Sequence, residues 1–265
     1  MEKKLTPKLD ILNPEEITNN LKTKIIGKKI YFLKKITSTN LFAKQLVKDK
    51  IGEGTVIVAD VQTHGLGRKN RPWHSPAGGL WFSVVLYPHI PADRGMLITM
   101  ASSISIAQAF KKITGISPEV KWPNDLLINR KKVCGILTEI NADLDKINYI
   151  IVGIGINVNN KIDEELSEIA ISLKQVASSK ISRARLLKSI LQHLDLNYNK
   201  IILKNFDSIR KVWLSYSNII GRKIQVEDEN IVTKGIVVDI DDSGYIILDT
   251  DYDRIRIVSG DIKYL

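Results

Sequence analysis

The stretch Thr55-Val56-Ile57-Val58-Ala59-Asp60, then Gly65-Leu66-Gly67-Arg68-Lys69-Asn70-Arg71-Pro72-Trp73, then Leu80-Trp81-Phe82-Ser83-Val84-Val85-Leu86 decides how this chain folds. Its two ends are β-branched and aromatic runs that read as strands. Between them, Gln62 to Pro76 holds two glycines, three cations and two prolines, and its large apolar residues are Leu66 and Trp73. Gly65 and Gly67 can take positive φ and leave backbone N–H groups uncovered. Arg68 and Arg71 offer planar forks that match phosphate or carboxylate. A mobile basic glycine loop between two strands is expected to close on an anion. Alone, a Gly-x-Gly-Arg is better explained as a solvated basic turn. No Gly-Lys-Ser/Thr follows, which excludes a Walker A loop, and the third glycine of a dinucleotide fingerprint is missing.

Working outward, Ile30 to Leu33 reads as a strand, and Ser38-Thr39-Asn40 opens a helix with Leu41, Phe42, Leu46 and Val47 on one face. Ser38 or Thr39 is its expected N-cap. Asn13-Pro14 begins a short helix nearer the N-terminus. Asp93 to Thr114 reads as a long buried helix stopped by Gly115. Glu119 to Trp122 is a strand ending at Pro123-Asn124-Asp125. Leu126–Ile128 and Val133–Ile140 form a hairpin turning at Asn129-Arg130-Lys131, and Tyr149–Ile156 is a further strand. Helices are expected from Ser182 and over Phe206–Tyr216. From Asn218 the chain alternates apolar and polar residues in the short runs Lys223–Val226, Thr233–Ile240, Tyr245–Leu248 and Arg254–Val258, as in a small antiparallel barrel. The expected organisation is an N-terminal helical segment (1–27), a main α+β domain (28–217) and a terminal barrel (218–265).

Composition supports a soluble globular protein, with 44% hydrophobic and 26% charged residues. No apolar run approaches the roughly 18–20 residues of a membrane span, and no signal peptide is evident, so a cytoplasmic protein without membrane contact is expected. The single cysteine, Cys134, lies in an apolar run and reads as a small buried hydrophobe. Net charge is +10, yet residues 218–265 hold six Lys/Arg against ten Asp/Glu. A basic body of this kind suits anionic partners: nucleotide, nucleic acid or an acidic protein surface.

Three further stretches carry chemistry. Lys121-Trp122-Pro123-Asn124-Asp125 ends a strand where side chains can enter a cleft, although turn chemistry explains Pro-Asn-Asp equally well. Lys132 flanks the strand Val133–Leu137, where a solvated edge charge is the ordinary reading. Gly153-Ile154-Gly155-Ile156-Asn157 permits close backbone approach, or simply packing. The four histidines lack ligand spacing, and no Gly-x-Ser-x-Gly or His-Glu-x-x-His appears.

The order and spacing of Ser38-Thr39-Asn40, Gln62 with Gly65 to Trp73, Lys121 to Asp125, Lys132 with Gly135-Ile136-Leu137, and Gly153 to Asn157 resemble the biotin protein ligase family, from about Ile30 to the C-terminus. The resemblance implies a mixed sheet with packed helices, akin to class II aminoacyl-tRNA synthetases, followed by an SH3-like barrel. It implies activation of biotin by ATP and Mg²⁺ to biotinyl-5′-AMP, without a tightly bound prosthetic group, and transfer of biotin to a lysine of a biotin carboxyl carrier domain. By the same resemblance Ser38, Thr39, Asn40, Gln62, Leu66, Gly67, Arg68 and Lys132 border biotin. Gly65, Arg71, Trp73, Asn124 and Asn157 border the adenylate, and Arg68, Lys132 and Asp125 take part in catalysis. Asp125 is the candidate ligand for Mg²⁺ or for orienting the incoming lysine. A homodimer is expected. DNA binding is not, because too few residues precede the motifs for the winged helix of the family's repressors. Leu66 departs from the Arg or Lys common in the family, which shifts the charge burden to Arg68 and Lys132.

Two other readings compete. A lipoate or octanoate ligase or transferase is disfavoured because its Arg-Arg-x-x-Gly-Gly-Gly pattern is absent. A nonenzymatic nucleic-acid-binding protein is disfavoured because the terminal barrel is acidic, whereas phosphate binding needs clustered cations.

Overall fold

β-Branched and leucine-rich runs assemble one seven-stranded sheet. The computed structural model describes residues 12–144, 146–228 and 231–265. The expected N-terminal segment therefore lies partly outside the described residues, as do Glu229 and Asn230 of the first barrel turn. In chain order the strands are β1 (Ile30–Ile36), β2 (Val56–Gln62), β3 (Leu80–Leu86), β4 (Glu119–Lys121), β5 (Asp125–Ile128), β6 (Lys131–Asp143) and β7 (Lys146–Ile156). They lie side by side as β1-β2-β3-β7-β6-β5-β4. The β1–β2 pair is parallel, and the other pairings are antiparallel. The helices are α1 (Pro14–Thr18), α2 (Thr39–Lys48), α3 (Met96–Thr114), α4 (Leu173–Ala177), α5 (Arg183–Ile202) and α6 (Phe206–Tyr216). None is long and apolar enough to cross a membrane.

Strand residues alternate between two faces. Leu80, Phe82 and Val84 of β3, with Ile150, Val152 and Ile154 of β7, enter the main core together with α3 and α5. The opposite face carries Ala43 of α2 in a small apolar cluster with Ile57, Val85 and Ile151. That second face is only partly covered by α2, and the functional cleft forms on the uncovered part.

The last residues build a five-stranded antiparallel sheet of SH3-like form: β8 (Lys223–Asp228), β9 (Ile231–Ile240), β10 (Ile246–Asp249), β11 (Arg254–Ile257) and β12 (Asp261–Tyr264). Its Ile224, Val237, Ile246 and Leu248 belong to the same continuous core as the main sheet. The indole Nε1 of Trp122 donates to the Gly244 carbonyl at 3.1 Å, fixing the strand β4 end to this sheet.

Several local expectations are refined. The helix expected from Asp93 begins at Met96, after a 3-10 turn over Ala92–Arg94 that follows Pro91. Gly115 ends it in the left-handed conformation, φ 75°. The hairpin turn uses Asn129 and Arg130, both at positive φ. Ser38 holds the N-cap position of α2 without a side-chain cap bond, and the hydroxyl of Thr39 donates instead to Gln62. α4 and β12 escape the sequence reading. For α4 a signal existed: Ser172 and Gln175 form a reciprocal capping box. Cys134 is fully buried and free, and burial pushes its thiol pKa upward, consistent with an inert packing residue.

Candidate functional site

Two glycines on neighbouring strands make the floor. Gly135 of β6 and Gly155 of β7 sit opposite each other in register. A Cβ at Gly155 would collide with the indole of Trp73, and one at Gly135 would meet both Trp73 and the Lys132 stem at 3.1–3.2 Å. Glycine is required at Gly155, where the Trp73 ring lies directly on the sheet, and Gly135 keeps the neighbouring position close-fitting. The Lys132 ammonium stands 5.2 Å from the centroid of that ring. Lys132 also pairs with Asp125 Oδ1 at 2.7 Å, each side chain about a quarter to a third exposed. Trp81 completes an edge-to-face contact with Trp73, centroids 6.5 Å apart.

Above this floor opens a cleft of about 320 Å³, which suits a small-molecule site. It is lined by Ser38, Thr39 and Asn40 of the α2 start, Gln62 at the β2 end, and Leu66, Gly67, Arg68, Arg71 and Trp73 of the basic loop. Asn124, Asp125, Lys132 and Asn157 complete that lining. Lys121, Trp122 and Pro123, which precede Asn124, lie outside that lining. Of the residues expected to border biotin or the adenylate, Gly65 does not line the cleft. Its backbone faces Trp73, whose N–H donates to the Gly65 carbonyl at 2.8 Å, and a Cβ there would press on Ser75. Gly65 thus shapes the loop from behind.

One end of the cleft is polar. Thr39 donates to Gln62 Oε1 from its backbone N–H at 2.8 Å and from its hydroxyl at 3.1 Å. Gln62 Nε2 then donates to Ser75 Oγ at 2.9 Å. Ser83 Oγ, wholly buried on β3, lies 2.7 Å from Thr39 Oγ1 and 2.6 Å from Asn40 Oδ1. The far wall, Lys161 to Ala170, was not foreseen, because it has neither alternation nor helical period. It is tied down by Lys132, whose N–H donates to Ile169 and whose carbonyl accepts from Ile171. Across the rim, His74 Nδ1 stands 3.1 Å from Asp163 Oδ2.

The basic loop is pinned, not free. Gly67 N–H donates to the Arg71 carbonyl at 2.8 Å, and Leu66 bridges Pro72, folding the loop into a hairpin. Its tip meets the terminal barrel: Arg68 donates to the Gly260 carbonyl at 3.2 Å, Arg71 binds Asp261, and Lys69 lies 3.7 Å from Asp228. Arg68 also lies 3.7 Å from Asp261. Partial burial alone would raise the Asp261 pKa, but Arg71, Arg68 and Lys69 together hold it below the ordinary aspartate value of 3.8. A depressed carboxylate contributes stability that is present above its ordinary pKa and is lost as pH falls through the lowered one. The Asp261 part of the latch therefore holds at neutral pH and is lost only as pH falls below the ordinary aspartate value.

Asp261→Asn is expected to loosen this latch. Exposed ion pairs are worth about 0.2–1 kcal/mol each, so loop opening should rise roughly fivefold. Trypsin cleavage after Arg68 and Lys69, followed by mass spectrometry, measures it; an unchanged cleavage rate would show that the latch does not restrain the loop.

Comparison with known proteins adds the following. Residues 30–157 match the biotin/lipoate A/B protein ligase family, and residues 219–263 match the biotin protein ligase C terminal domain. The bifunctional ligase/repressor BirA of Bacillus subtilis is 38% identical over 256 residues, covering 95% of this chain and 79% of that protein. A biotin--[acetyl-CoA-carboxylase] ligase of Mycobacterium tuberculosis is 28% identical, covering 80% of each chain. Among solved structures, the biotin protein ligase from Aquifex aeolicus in complex with biotin and ATP superposes with a TM-score of 0.77 at 30% identity, covering 90% of this chain and 99% of that one.

Proposed function

This chain belongs to the biotin protein ligase family, and from that premise we propose how its cleft activates biotin with ATP and passes it to a lysine of a biotin carboxyl carrier domain. The observation that carries the reading is convergence: residues from five separated segments meet in one cleft with a polar end, an apolar floor and a cationic mouth. Biotin has those three parts, a neutral ureido ring, an apolar chain and a carboxylate.

The ureido ring is proposed to lie at Ser38, Thr39 and Gln62, and the chain over Gly135, Ile136 and Gly155. The carboxylate then points toward Lys132. In the first step a carboxylate oxygen attacks the α-phosphorus of ATP, the bond to the β-phosphate breaks, and pyrophosphate leaves. Two anions must approach, so cations offset their repulsion; Lys132 and Arg68 are proposed to supply them. In the second step the carrier amine attacks the biotinyl carbonyl, losing a proton, and AMP leaves. Asp125, which pairs with Lys132, is proposed to orient that amine. Trp73, Asn124, Arg71 and Asn157 are proposed to border the adenylate. The mixed anhydride is water-labile, so the hairpin loop above it also serves to exclude solvent.

Among the described residues no three His, Cys, Asp or Glu side chains gather into a metal cage. That fits Mg²⁺, which is held largely by the nucleotide phosphates with one or two carboxylates. Asp125 is the proposed protein contact, and the ion would add positive charge at the α-phosphate.

Incubation with ATP, Mg²⁺ and either biotin or lipoate, read by mass spectrometry, tests this. Biotinyl-AMP should form and lipoyl-AMP should not. Formation of neither adenylate would overturn the reading.

A further inference from the structure

The polar end of the cleft does not stop at the residues that line it. Behind Asn40 stands Glu139 of β6, outside the cleft. Asn40 Nδ2 donates to Glu139 Oε2 at 2.8 Å, and Lys44 Nζ donates to Glu139 Oε1 at 2.7 Å. Asn40 itself is nearly buried, and Gly153 across the strand pair lacks the Cβ that would strike its amide. Asn40 therefore has one place to sit, and its only freedom is a half-turn of the amide.

An ionised carboxylate accepts hydrogen bonds and cannot donate them. Glu139 thus forces the Asn40 NH₂ toward itself and the Oδ1 toward Ser83. The single Ser83 proton is then shared between Asn40 Oδ1 and Thr39 Oγ1, and the Thr39 proton goes to Gln62 Oε1. With both Thr39 donors on its oxygen, Gln62 must turn its NH₂ to Ser75, leaving its second N–H for the cleft. Gln62 is held by the non-invertible Thr39 backbone N–H, so the carboxylate's own reach is the Asn40 amide and the Ser83 hydroxyl beside it.

We infer that Glu139 is a positioning residue for biotin recognition, holding the Asn40 amide in one orientation where that residue lines the cleft. This rests on the proposed placement of biotin. A ureido group offers an acceptor oxygen beside two N–H donors, so a lining amide such as Asn40 whose donor and acceptor can exchange places would bind it poorly. Sites that match buried hydrogen bonds lose much affinity when one partner is reversed.

The test uses the full chain with biotin titrated by calorimetry, and with KM measured for biotin and for ATP. Glu139→Ala should weaken biotin at least tenfold and leave KM for ATP and the melting temperature nearly unchanged. In Glu139→Gln, the Lys44 ammonium claims the amide oxygen, so the Gln NH₂ faces Asn40 and turns it over; a loss of fivefold or more is expected. Lys44→Met alone should stay within threefold of wild type. The combined Lys44→Met, Glu139→Gln variant frees the Gln oxygen to accept from Asn40 and should recover most of the lost affinity. Such recovery cannot arise from a merely structural role. Wild-type affinity in Glu139→Ala, an equal rise in KM for ATP, or no recovery in the double variant would overturn the inference. A wild-type protein that fails to bind biotin would overturn the placement of biotin, and this role with it.

Discussion

Lys132→Ala is expected to lower biotin-dependent ATP–pyrophosphate exchange by about 10²–10³-fold, the usual loss when one preorganised charge at a developing anion is removed. The side chain has no slack to be replaced by a neighbour. It is held between the Trp73 ring at 5.2 Å and Asp125 at 2.7 Å, on the glycine floor of the cleft. Removing it also leaves the Asp125 carboxylate facing the incoming phosphate, which adds repulsion to lost attraction. Lys132→Arg should recover only part of the rate, because the larger guanidinium spreads its charge over a planar fork in place of the compact ammonium that meets Asp125. Pyrophosphate exchange with saturating biotin measures the effect. A loss under tenfold would mean that Arg68 carries the charge at the α-phosphate.

Arg183→Ala should destabilise the fold by about 3 kcal/mol, measured by urea unfolding. Arg183 is 2% exposed at the start of α5 and donates to Asp60 Oδ1 at 2.6 Å and to the Gly79 carbonyl at 2.9 Å. Asp60 lies on β2 and Gly79 just before β3, so one guanidinium ties together the two strands that carry the basic loop. Truncation leaves a carboxylate and a carbonyl without that donor at the loop's base. Asp60 is about a third exposed, which places the expected loss at the lower end for a broken buried pair. Arg183→Lys should retain part of the stability, since one ammonium can replace some of the guanidinium's contacts.

The sequence made some of this legible and hid the rest for physical reasons. Leu80–Leu86 and Phe206–Tyr216 stand as strand and helix with the bounds their patterns suggest, because burial and periodicity are local properties. The cleft residues could be named because their spacing is distinctive as a set, although each alone fits an ordinary turn or edge charge. What stayed hidden is long-range pairing. The loop read as mobile, and its tip is instead held by Asp228 and Asp261, some 160 and 190 residues away. The acidity of residues 218–265 counted against nucleic-acid binding, yet nothing local tied two of those carboxylates to the loop's cations. Glu139 was missed similarly: it lies in a strand, and only the fold sets it behind Asn40.

The distance along the chain between the loop and its latch also sets an order of events during synthesis. Arg68 and its Gly260 partner are separated by 192 positions. At about 5–20 residues per second, the ribosome needs roughly 10–40 s to cover that gap. For most of this interval the growing polypeptide carries a basic hairpin whose counter-charges, Asp228 and Asp261, have not been made. A chain made only as far as the main sheet therefore lacks the restraint that the latch supplies, and its cleft waits for residues translated long after the loop.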